Sequence, residues 1–347
     1  MKAIFFEKHG DSNVLQYGDL PQPVPKEGEA LIKVKAVALN HLDIWVRRGW
    51  KGLELNMPHI GGSDVSGELV SVKGATPFKV GSRVVINPGV STSEDEWTRR
   101  GEHSLSPNYQ VIGEHIPGGL AEYCTVPIKN LMVLPENISF EAGAAPLLVA
   151  TTSWRMLFNR AQLTPADSIL VVGSGGGVNS LTIQIAHSLG AKVFALAGSP
   201  EKAEQAQKIG ADEVIEYNKF PAWHKEILKM TSGRGVDVVV DNVGEKTLEM
   251  SLKAVARGGR VVTVGNTTGY NIKFDNRLLF SKQISLIGST MGSPQDFIDA
   301  MAYLWRNKIE IAIDSVSPLS KGIEMLERLE RGDHFGKIVL QPRSSFA

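Results

Sequence analysis

A cluster of glycines at residues 173–179 is the part of this sequence best suited to binding a phosphate group. The turn reads GSGGGVN; it follows the apolar run SILVVG at 168–173 and precedes a helical pattern at 181–189. Glycines let the backbone approach a pyrophosphate, whose charge is also favoured by amide groups and by the positive end of a helix. Val178 and Asn179 stand where the third glycine of G-x-G-x-x-G would fall, so the cluster alone would also fit a simple helix-entry turn. Its strand–turn–helix context predicts a dinucleotide site that includes Ser174, Gly175, Gly176, Gly177 and Val178.

The residues that follow the next predicted strand, 192–197, indicate which dinucleotide is bound. NAD sites usually place an acidic residue about 20 residues beyond the glycines, where it binds the ribose 2′-hydroxyl. This chain instead has Ser199 and Lys202, with Tyr217 after a further strand. A hydroxyl, an ammonium and a phenol can bind a 2′-phosphate, and the strand itself ends in Ala197-Gly198 without a carboxylate to repel it. We therefore predict NADPH in preference to NADH; alternatively, Lys202 is only a solvated residue at the start of a helix.

The elements that would position these residues form two regions. Short strands separated by glycine and proline favour a compact β-rich domain in the first region; they are predicted at 30–38, 67–72, 83–87 and 121–127. Strands then alternate with helices, as in a doubly wound α/β domain; they are predicted at 168–173, 192–197, 214–216, 236–241, 259–264 and 284–289.

Two helical patterns, at 296–307 and 323–331, lead to a last strand at 337–341, which we expect to return to the β-rich region. The predicted catalytic domain therefore comprises residues 1–150 and 291–347. The predicted nucleotide-binding domain, residues 151–290, is inserted into it.

Composition restricts the partners and the compartment. In 347 residues, Lys and Arg total 37, as do Asp and Glu, so the formal net charge is zero and neither a nucleic acid nor a membrane surface is indicated as a partner. The single cysteine, Cys124, excludes an intramolecular disulfide and fits a reducing cytoplasm. We expect no signal peptide, because the first residues contain no long apolar run.

From KAIFFEKHG at 2–10 to FGKIVLQP at 335–342, the sequence resembles the medium-chain dehydrogenase/reductase superfamily. The GEHIPGGLAEY segment at 113–123 is similar to the zinc alcohol dehydrogenase branch. By contrast, Asn40-x-x-Asp43, GSDVSG at 62–67 and AGS-x-x-K at 197–202 resemble the zinc-free quinone oxidoreductase branch. The resemblance implies an α/β protein with a GroES-like β-rich catalytic domain and a doubly wound Rossmann domain that binds NADP.

The resemblance also implies where zinc would bind, and the usual ligands are missing there. The catalytic cysteine is matched by Asn40, the histidine by Ser63, and the third ligand falls near Leu148. The residue that matches the hydroxyl of the proton relay is Leu42. Zinc is normally held by thiolate, imidazole or carboxylate. We therefore expect no zinc, and the alternative is an improvised metal site made by His41, Asp43, Asp64 and His115.

The structural zinc lobe of the family is matched by residues 92–106, which keep its x2, x2 and x7 spacing. The residues at that spacing carry hydroxyl and carboxyl groups; they are Thr92, Asp95, Thr98 and Ser106. No thiolate remains, so we expect this lobe to be free of zinc as well.

Reduction without zinc requires a product oxygen that carries negative charge easily. The conjugate acid of an alkoxide is a much weaker acid than a phenol, and the difference corresponds to roughly 8 kcal/mol. Quinones and conjugated carbonyl compounds fit this requirement, and neutral donors worth about 2.7–4 kcal/mol each supply the remainder. The candidate catalytic residues are Asn40 and Ser63 as donors, with His41 and Asp43 nearby; alternatively, Asn40 and Asp43 only cap the helix at 42–48. His41 and His115 are candidate proton donors, and bulk water is the alternative.

The resemblance further implies which residues hold the nicotinamide end of the cofactor. Thr152 matches the threonine that lies against the ring, and the segments 265–267 and 289–290 would hold the carboxamide. The cofactor-binding residues predicted on this basis are Thr152, Gly265, Asn266, Thr267, Ser289, Thr290 and Lys337, the last from the FGK ending. Asn266 alternatively serves only as a turn residue. The strand at 284–289 resembles the edge at which family members pair, which implies a homodimer or homotetramer.

These observations together predict an NADPH-dependent, zinc-independent oxidoreductase that transfers hydride to quinones or other activated ketones and aldehydes. One alternative is an alcohol dehydrogenase that reduces ketones and aldehydes with a nonstandard zinc site. Others are a reductase of conjugated C=C bonds and a non-catalytic nucleotide-binding protein.

Overall fold

The computed structural model describes residues 1–342, which divide into two compact units. The first comprises residues 1–148, 292–298 and 313–342, and the second comprises residues 149–291 and 299–312. The sequence predicted all of 291–347 in the catalytic domain. The structure instead assigns residue 291 and residues 299–312 to the second unit, together with residues 149–150 of the predicted 1–150 segment, so the helix that begins at Pro294 contributes residues to both units. Residues 343–347, which fall in the predicted catalytic domain, lie outside the described part.

The strands, in chain order, are β1 (Lys2–Phe5), β2 (Gln16–Asp19), β3 (Glu29–Ala38), β4 (Asp64–Lys73), β5 (Arg83–Ile86), β6 (Gly89–Ser91), β7 (Tyr109–Val111), β8 (Tyr123–Pro127), β9 (Leu131–Val133), β10 (Ser168–Val172), β11 (Lys192–Ala197), β12 (Glu213–Glu216), β13 (Val236–Asp241), β14 (Val255–Thr263), β15 (Ser285–Gly288), β16 (Ile313–Pro318) and β17 (Lys337–Gln341). The helices are α1 (His41–Arg48), α2 (Glu96–Arg99), α3 (Phe140–Ala144), α4 (Leu147–Trp154), α5 (Gly177–Leu189), α6 (Pro200–Lys208), α7 (Trp223–Met230), α8 (Leu248–Ala254), α9 (Arg277–Lys282), α10 (Pro294–Arg306) and α11 (Gly322–Arg331). A π-helical segment, Arg155–Arg160, continues α4.

The first unit is built on a sheet with the strand order β16-β17-β3-β4-β5-β9, in which β8 also pairs with β3. The antiparallel register places Ala38 of β3 beside Asp64 of β4 and also beside Val339 of β17. Three segments that are far apart in the sequence therefore meet at one end of β3. The buried face of the sheet packs through aliphatic side chains such as Ile32, Val65 and Leu340.

The second unit contains a six-stranded parallel sheet with the order β12-β11-β10-β13-β14-β15. Its central strands are continuous apolar runs because helices cover both faces of such a sheet. Leu170, Val239 and Val261 of the three central strands are fully buried. Successive strands are added on one side of β10 as far as β12 and on its other side from β13 onward, so the strand order changes direction beside β10. In open α/β sheets, ligands bind at the carboxyl ends of the strands near such a point. This fold is the GroES-like plus Rossmann α/β architecture that the resemblance implied.

Candidate active site and cofactor site

The start of α1 is fixed by the buried carboxylate of Asp43. Its Oδ2 accepts a hydrogen bond from the Asn40 backbone N–H at 2.8 Å, and its Oδ1 accepts one from the Gly62 N–H, also at 2.8 Å. Burial raises the pKa of Asp43 to about 6, against the opposing effect of these two donors. Asp43 therefore performs the capping role that the sequence left open. In the structure it links α1 to the segment that carries Ser63.

The side chain of Asn40 belongs to a buried cluster with Asp64 and Lys337, which we call the lysine cluster. Asn40 Nδ2 donates to Asp64 Oδ2 at 3.0 Å, while the Lys337 ammonium donates to Asn40 Oδ1 at 2.5 Å and to Asp64 Oδ2 at 2.8 Å. The second oxygen of Asp64 accepts the Leu148 backbone N–H at 2.7 Å. Lys337 is 2% exposed and Asp64 is fully buried. The cluster thus places a compensated positive charge where the family resemblance locates zinc ligands.

Ser63 lies next to this cluster in the chain and is fully buried, and its Oγ has no hydrogen-bond partner within residues 1–342. Such a group is uncommon, because a buried hydroxyl without a partner costs free energy. Ser63 is therefore available to donate a hydrogen bond to a bound group.

His41 begins α1 and lies within ring-contact distance of two other aromatic side chains. Its ring centroid is 6.2 Å from that of Trp45 and 6.4 Å from that of His334. Burial lowers the pKa of His41, Glu330 opposes that shift, and Lys337 adds to it. The neutral imidazole is therefore favoured at neutral pH.

The donor chemistry around the lysine cluster does not fit a zinc ion. Asn40, Ser63 and Leu148 occupy the three matched ligand positions, and none carries a thiolate, imidazole or carboxylate. Within residues 1–342, no group of three or more His, Cys, Asp or Glu side chains is placed to share a metal ion. The improvised set of His41, Asp43, Asp64 and His115 is therefore not assembled.

The loop that matches the structural zinc lobe is held by hydrogen bonds centred on Asp95. Asp95 Oδ1 accepts the backbone N–H groups of Trp97 and Thr98, both at 2.9 Å, and Oδ2 accepts the Ser106 hydroxyl at 2.6 Å. Thr92 Oγ1 donates to the Asn108 carbonyl at 3.0 Å. The Ser106 hydrogen bond is the main cause of the lowered pKa of Asp95. Residues at the former ligand spacing thus tie the loop together through their own polar groups.

A second carboxyl with a raised pKa, Glu114, lies in a turn packed against the segment that precedes Ser63. A Cβ at Gly113 would lie 2.8 Å from the Gly62 carbonyl carbon, which shows how closely the two backbones approach. The Glu114 side chain is 15% exposed, and burial raises its pKa to about 7.

We predict that the Glu114→Gln variant loses part of the pH dependence of stability. Because the folded-state pKa lies above the value of 4.5 for a free glutamate, stability falls as the pH rises from about 4.5 to about 7. The variant should be more stable than the wild type at pH 8 and show a smaller difference at pH 5. Asp43 contributes a slope of the same sign up to about pH 6, so some dependence should remain. Urea unfolding at both pH values measures the free energy of unfolding, and Glu94→Gln, at an exposed position, is the control. The same change in this free energy between pH 5 and pH 8 in all three proteins would contradict the prediction.

In the second unit, the glycine-rich turn has the geometry of a phosphate-binding loop. Gly173 has a φ of 84°, α5 begins at Gly177, and its N-cap residue, Gly176, makes no side-chain cap. The free N–H groups at such a helix start can bind an anion. Ser174 is 1% exposed and its Oγ has no partner among the described residues, so a donor is available inside the turn. Gly175 and Val178 are half-buried there, and the arrangement fits a dinucleotide pyrophosphate.

The residues predicted to bind the 2′-phosphate gather after β11 and β12. Ser199 caps α6 by accepting the Lys202 backbone N–H at 3.3 Å, which places Lys202 in the first turn of that helix. Tyr217 is 42% exposed. Its hydroxyl lies directly against Gly198, where a Cβ would collide with it. Glycine at 198 therefore allows the phenol to lie over the end of β11.

The residues predicted to bind the nicotinamide end follow β14 and β15. Gly265 O accepts the Thr263 hydroxyl at 3.1 Å, the Asn266 O accepts the Gly269 N–H at 3.0 Å, and the Thr267 N–H lies 3.5 Å from Asn242 O. Ser289 N–H donates to Thr263 O at 2.9 Å, which holds the two segments together, and the Ser289 Oγ has no partner in the described chain.

Thr152 of α4 joins this group through its contact with the residue after Thr290. Thr152 Oγ1 donates to Met291 Sδ at 3.8 Å, and Met291 has a φ of 42°. A non-glycine residue in that region is strained, and such residues concentrate at functional sites.

Two features of the site were not anticipated from the sequence. Lys337 was expected to bind the cofactor, yet its ammonium donates to Asn40 and Asp64 within the first unit. Neither Asn179 nor Asn242 is among the residues predicted from the sequence, although their side chains join the ends of three strands of the second unit. One signal of these asparagine side chains is present in the sequence: Asn179 stands at the position of the third glycine.

Comparison with known proteins agrees with this architecture. The alcohol dehydrogenase GroES-like domain matches residues 26–136, and the zinc-binding dehydrogenase domain matches residues 177–306. A zinc-type alcohol dehydrogenase-like protein of Schizosaccharomyces pombe is 32% identical over 330 residues, 93% of each chain. A quinone oxidoreductase of Pongo abelii is 30% identical over 349 residues, 98% of this chain and 97% of that protein. A solved structure of an NAD-dependent alcohol dehydrogenase has a TM-score of 0.94 at 40% identity, covering 99% of this chain and 100% of that one.

The chain therefore belongs to the medium-chain dehydrogenase/reductase superfamily, as its resemblance predicted. Members of this superfamily are NAD(P)-dependent oxidoreductases, and the glycine-rich turn and parallel sheet of the second unit fit that class. None of the helices described within residues 1–342 is both long and apolar enough to cross a membrane.

Proposed function

We propose that this protein is an NADPH-dependent reductase that works without zinc and transfers hydride to quinones or other activated ketones and aldehydes. The observation that carries the proposal is the lysine cluster. Asn40 and Asp64 accept hydrogen bonds from the Lys337 ammonium at 2.5 Å and 2.8 Å, so the polar groups nearest to the matched zinc positions already have a cation as partner.

The cluster also supports a role for Asn40 as the donor to the substrate oxygen. One Nδ2 hydrogen of Asn40 is used by Asp64, and the other remains for a ligand. The Lys337 ammonium on Oδ1 draws electron density from the amide, which makes the remaining N–H a stronger donor. Ser63, whose hydroxyl has no partner within residues 1–342, is the second donor. Asp43 holds the backbone around both residues.

The overall reaction adds a hydride and a proton to the acceptor. A bound nicotinamide supplies the hydride, and the quinone or carbonyl compound becomes the hydroquinone or alcohol after one oxygen takes up a proton. Asn40 and Ser63 hold that oxygen while its charge develops. Their neutral hydrogen bonds suit a product oxygen of phenol-like acidity, which is why we place quinones ahead of simple ketones.

A comparison of acceptors tests this assignment. Oxidation of NADPH and of NADH is followed at 340 nm with a benzoquinone, with an aromatic ketone and with an unactivated aliphatic ketone. The proposal expects fastest turnover with NADPH and the quinone. Turnover that is fastest with the aliphatic ketone and NADH would contradict it.

The second candidate is an alcohol dehydrogenase that uses NADH. It is favoured by the similarity to NAD-dependent alcohol dehydrogenases, including that of Sulfolobus acidocaldarius, which is 30% identical over 98% of this chain. The aliphatic-ketone and NADH arms of the same experiment distinguish this candidate from the reductase.

For cofactor choice, we predict that Lys202→Ala raises the KM for NADPH about tenfold and leaves the KM for NADH unchanged, because the variant loses one charge-assisted contact to the 2′-phosphate. Lys208→Ala on the same helix is the matched control, because Lys208 is paired with Glu204 at 2.6 Å. Steady-state kinetics with both cofactors provide the measurement. Equal changes for NADPH and NADH would count against a role of Lys202 at the 2′-phosphate.

We also propose that the protein is a homo-oligomer that pairs through β15. This strand bonds only to β14 among the described strands and ends the parallel sheet. Leu286 on it is 38% exposed and Phe280 of the preceding helix is 66% exposed. Unpaired strand edges with apolar side chains favour pairing with a second copy. Sedimentation of wild type and a Leu286→Lys variant tests this, and a monomeric wild type would contradict it.

A reducing cytoplasm remains our proposal for the compartment. Cys124 is buried, and burial raises the pKa of its thiol to about 12, so it is poorly suited to disulfide exchange.

A further inference from the structure

Two asparagine side chains join the carboxyl ends of three adjacent strands in the second unit. Asn179, in the first turn of α5, donates from Nδ2 to the Val172 carbonyl at the end of β10, at 3.0 Å. Asn242, just after β13, donates from Nδ2 to Asn179 Oδ1 at 2.8 Å and accepts the Val264 N–H, just after β14, on its Oδ1 at 3.0 Å. We call these two residues the asparagine pair.

The backbone groups at the two ends fix the orientation of both amides. A carbonyl can only accept, so the Asn179 group that meets Val172 O must be the amide nitrogen. A backbone N–H can only donate, so the Asn242 atom that meets Val264 must be the oxygen. The remaining atoms then face each other as donor and acceptor. The three hydrogen bonds form one directed chain in which each side chain needs the other.

This chain crosses the edge of the sheet where a dinucleotide is expected to bind. One end is attached to the glycine-rich turn, since Asn179 follows Val178 directly and lies beside Gly173. The other end holds Val264, which precedes the 265–267 segment predicted to contact the carboxamide. The Asn242 backbone carbonyl also faces the Thr267 N–H at 3.5 Å.

We infer that the asparagine pair is a positioning device that holds the 265–267 segment at a fixed place relative to the phosphate-binding turn and thereby orients the nicotinamide half of the cofactor. The inference rests on the proposed function, because it requires a nicotinamide dinucleotide at this edge. It assigns to Asn179 the link between helix and strand that a third glycine provides through close packing in the usual motif. The adenosine half is proposed to bind at Ser199, Lys202 and Tyr217, which follow β11 and β12, whereas the hydrogen bonds of the pair join the ends of β10, β13 and β14.

That division between the two halves of the cofactor supplies the test. Dissociation constants for NADPH and for adenosine 2′,5′-bisphosphate, which lacks the nicotinamide, are measured by titration calorimetry on wild type, Asn179→Ala, Asn242→Ala and the double variant. Each single variant should bind NADPH about tenfold more weakly, and the double variant should be no weaker, because either change breaks the same chain. Binding of the bisphosphate should stay within about twofold of wild type in all variants.

Ser251→Ala is the matched control for a buried hydrogen bond lost from the same unit. Its hydroxyl donates to Asp241 Oδ2 at 2.6 Å, and Ser251 is fully buried. It should lower the thermal midpoint and leave NADPH binding unchanged. Variants that weaken both ligands equally, or neither, would overturn the inference, and so would effects that add in the double variant.

The wild-type protein separates this inference from the proposed function. If the wild type binds neither NADPH nor NADH, the proposed function fails and the pair has no cofactor to orient, so the inference is overturned with it. If the wild type binds NADH only, the same comparison is made with NADH and adenosine 5′-monophosphate. Tight binding by the wild type with unchanged binding by the variants overturns the inference alone.

Discussion

Replacing Lys337 by Met should lower the free energy of unfolding by about 3–5 kcal/mol, because it leaves a buried charge without its partner. The Asp64 carboxylate is fully buried, and its Oδ2 accepts the Lys337 ammonium at 2.8 Å. The Asn40 side chain and the Leu148 N–H remain as donors after the change, but neither carries a positive charge. Methionine fills a similar volume, so the loss reports chiefly on charge and hydrogen bonding. Urea unfolding at pH 7 measures the difference.

A surface pair is the control for this change. Lys2 and Asp19 form an ion pair at 2.7 Å with both side chains largely exposed, and Lys2→Met should leave the unfolding curve nearly unchanged. A second variant that combines Lys337→Met with Asp64→Leu should recover part of the lost stability, because no charge is then buried. If Lys337→Met were as stable as the wild type, Lys337 would not be the partner of Asp64 in solution.

Replacing Asn40 by Ala should lower kcat/KM for quinone reduction about 100- to 1,000-fold, which is the usual cost of removing one donor to a developing oxyanion. This prediction follows from the free Nδ2 hydrogen and from the ammonium on Oδ1 at 2.5 Å. The side chain is 7% exposed, so the donor works in a site with little water. Steady-state kinetics are measured well below the thermal midpoint, so that lost stability does not contribute.

An Asn40→Asp variant separates the two roles of this residue. Aspartate still accepts a hydrogen bond from Lys337 but has no N–H to donate, so this variant also replaces the bond from Asn40 to Asp64 by a pair of facing carboxyl groups. If Asn40 acts on the substrate oxygen, the Asp and Ala variants should lose comparable activity. An Asp variant with wild-type activity would show that Asn40 only holds Lys337.

The second unit could be predicted from the sequence because its signals are local. Buried parallel strands are continuous apolar runs, and the glycine cluster at 173–177 immediately follows one of them. The predicted strand at 236–241 has the same bounds as β13, Val236–Asp241. The predicted helix at 181–189, by contrast, begins earlier in the structure, at Gly177. A helix start that consists of glycine carries little apolar periodicity, which explains the difference.

The lysine cluster could not be predicted in the same way. Asn40 and Lys337 are 297 positions apart, and only the pairing of β17 with β3 brings them together. A lysine near the end of a chain is usually solvated, so its burial is a property of the tertiary structure. The asparagine pair likewise depends on the parallel register of β10, β13 and β14. The spacing of Asp95 is visible in the sequence, but its role as the acceptor that holds its loop depends on the positions of Ser106 and Thr98.

We propose that this oxidoreductase needs no metal, and turnover before and after removal of metal ions tests that proposal. NADPH consumption with a quinone is measured on protein dialysed against a strong chelator and on undialysed protein, with metal content determined by mass spectrometry. The lysine cluster predicts equal turnover in both samples. Because the matched sites lack thiolate and imidazole ligands, we expect zinc occupancy near zero, less than about a tenth of an ion per chain. Activity that disappears on dialysis and returns with added zinc would contradict the proposal that the protein works without zinc.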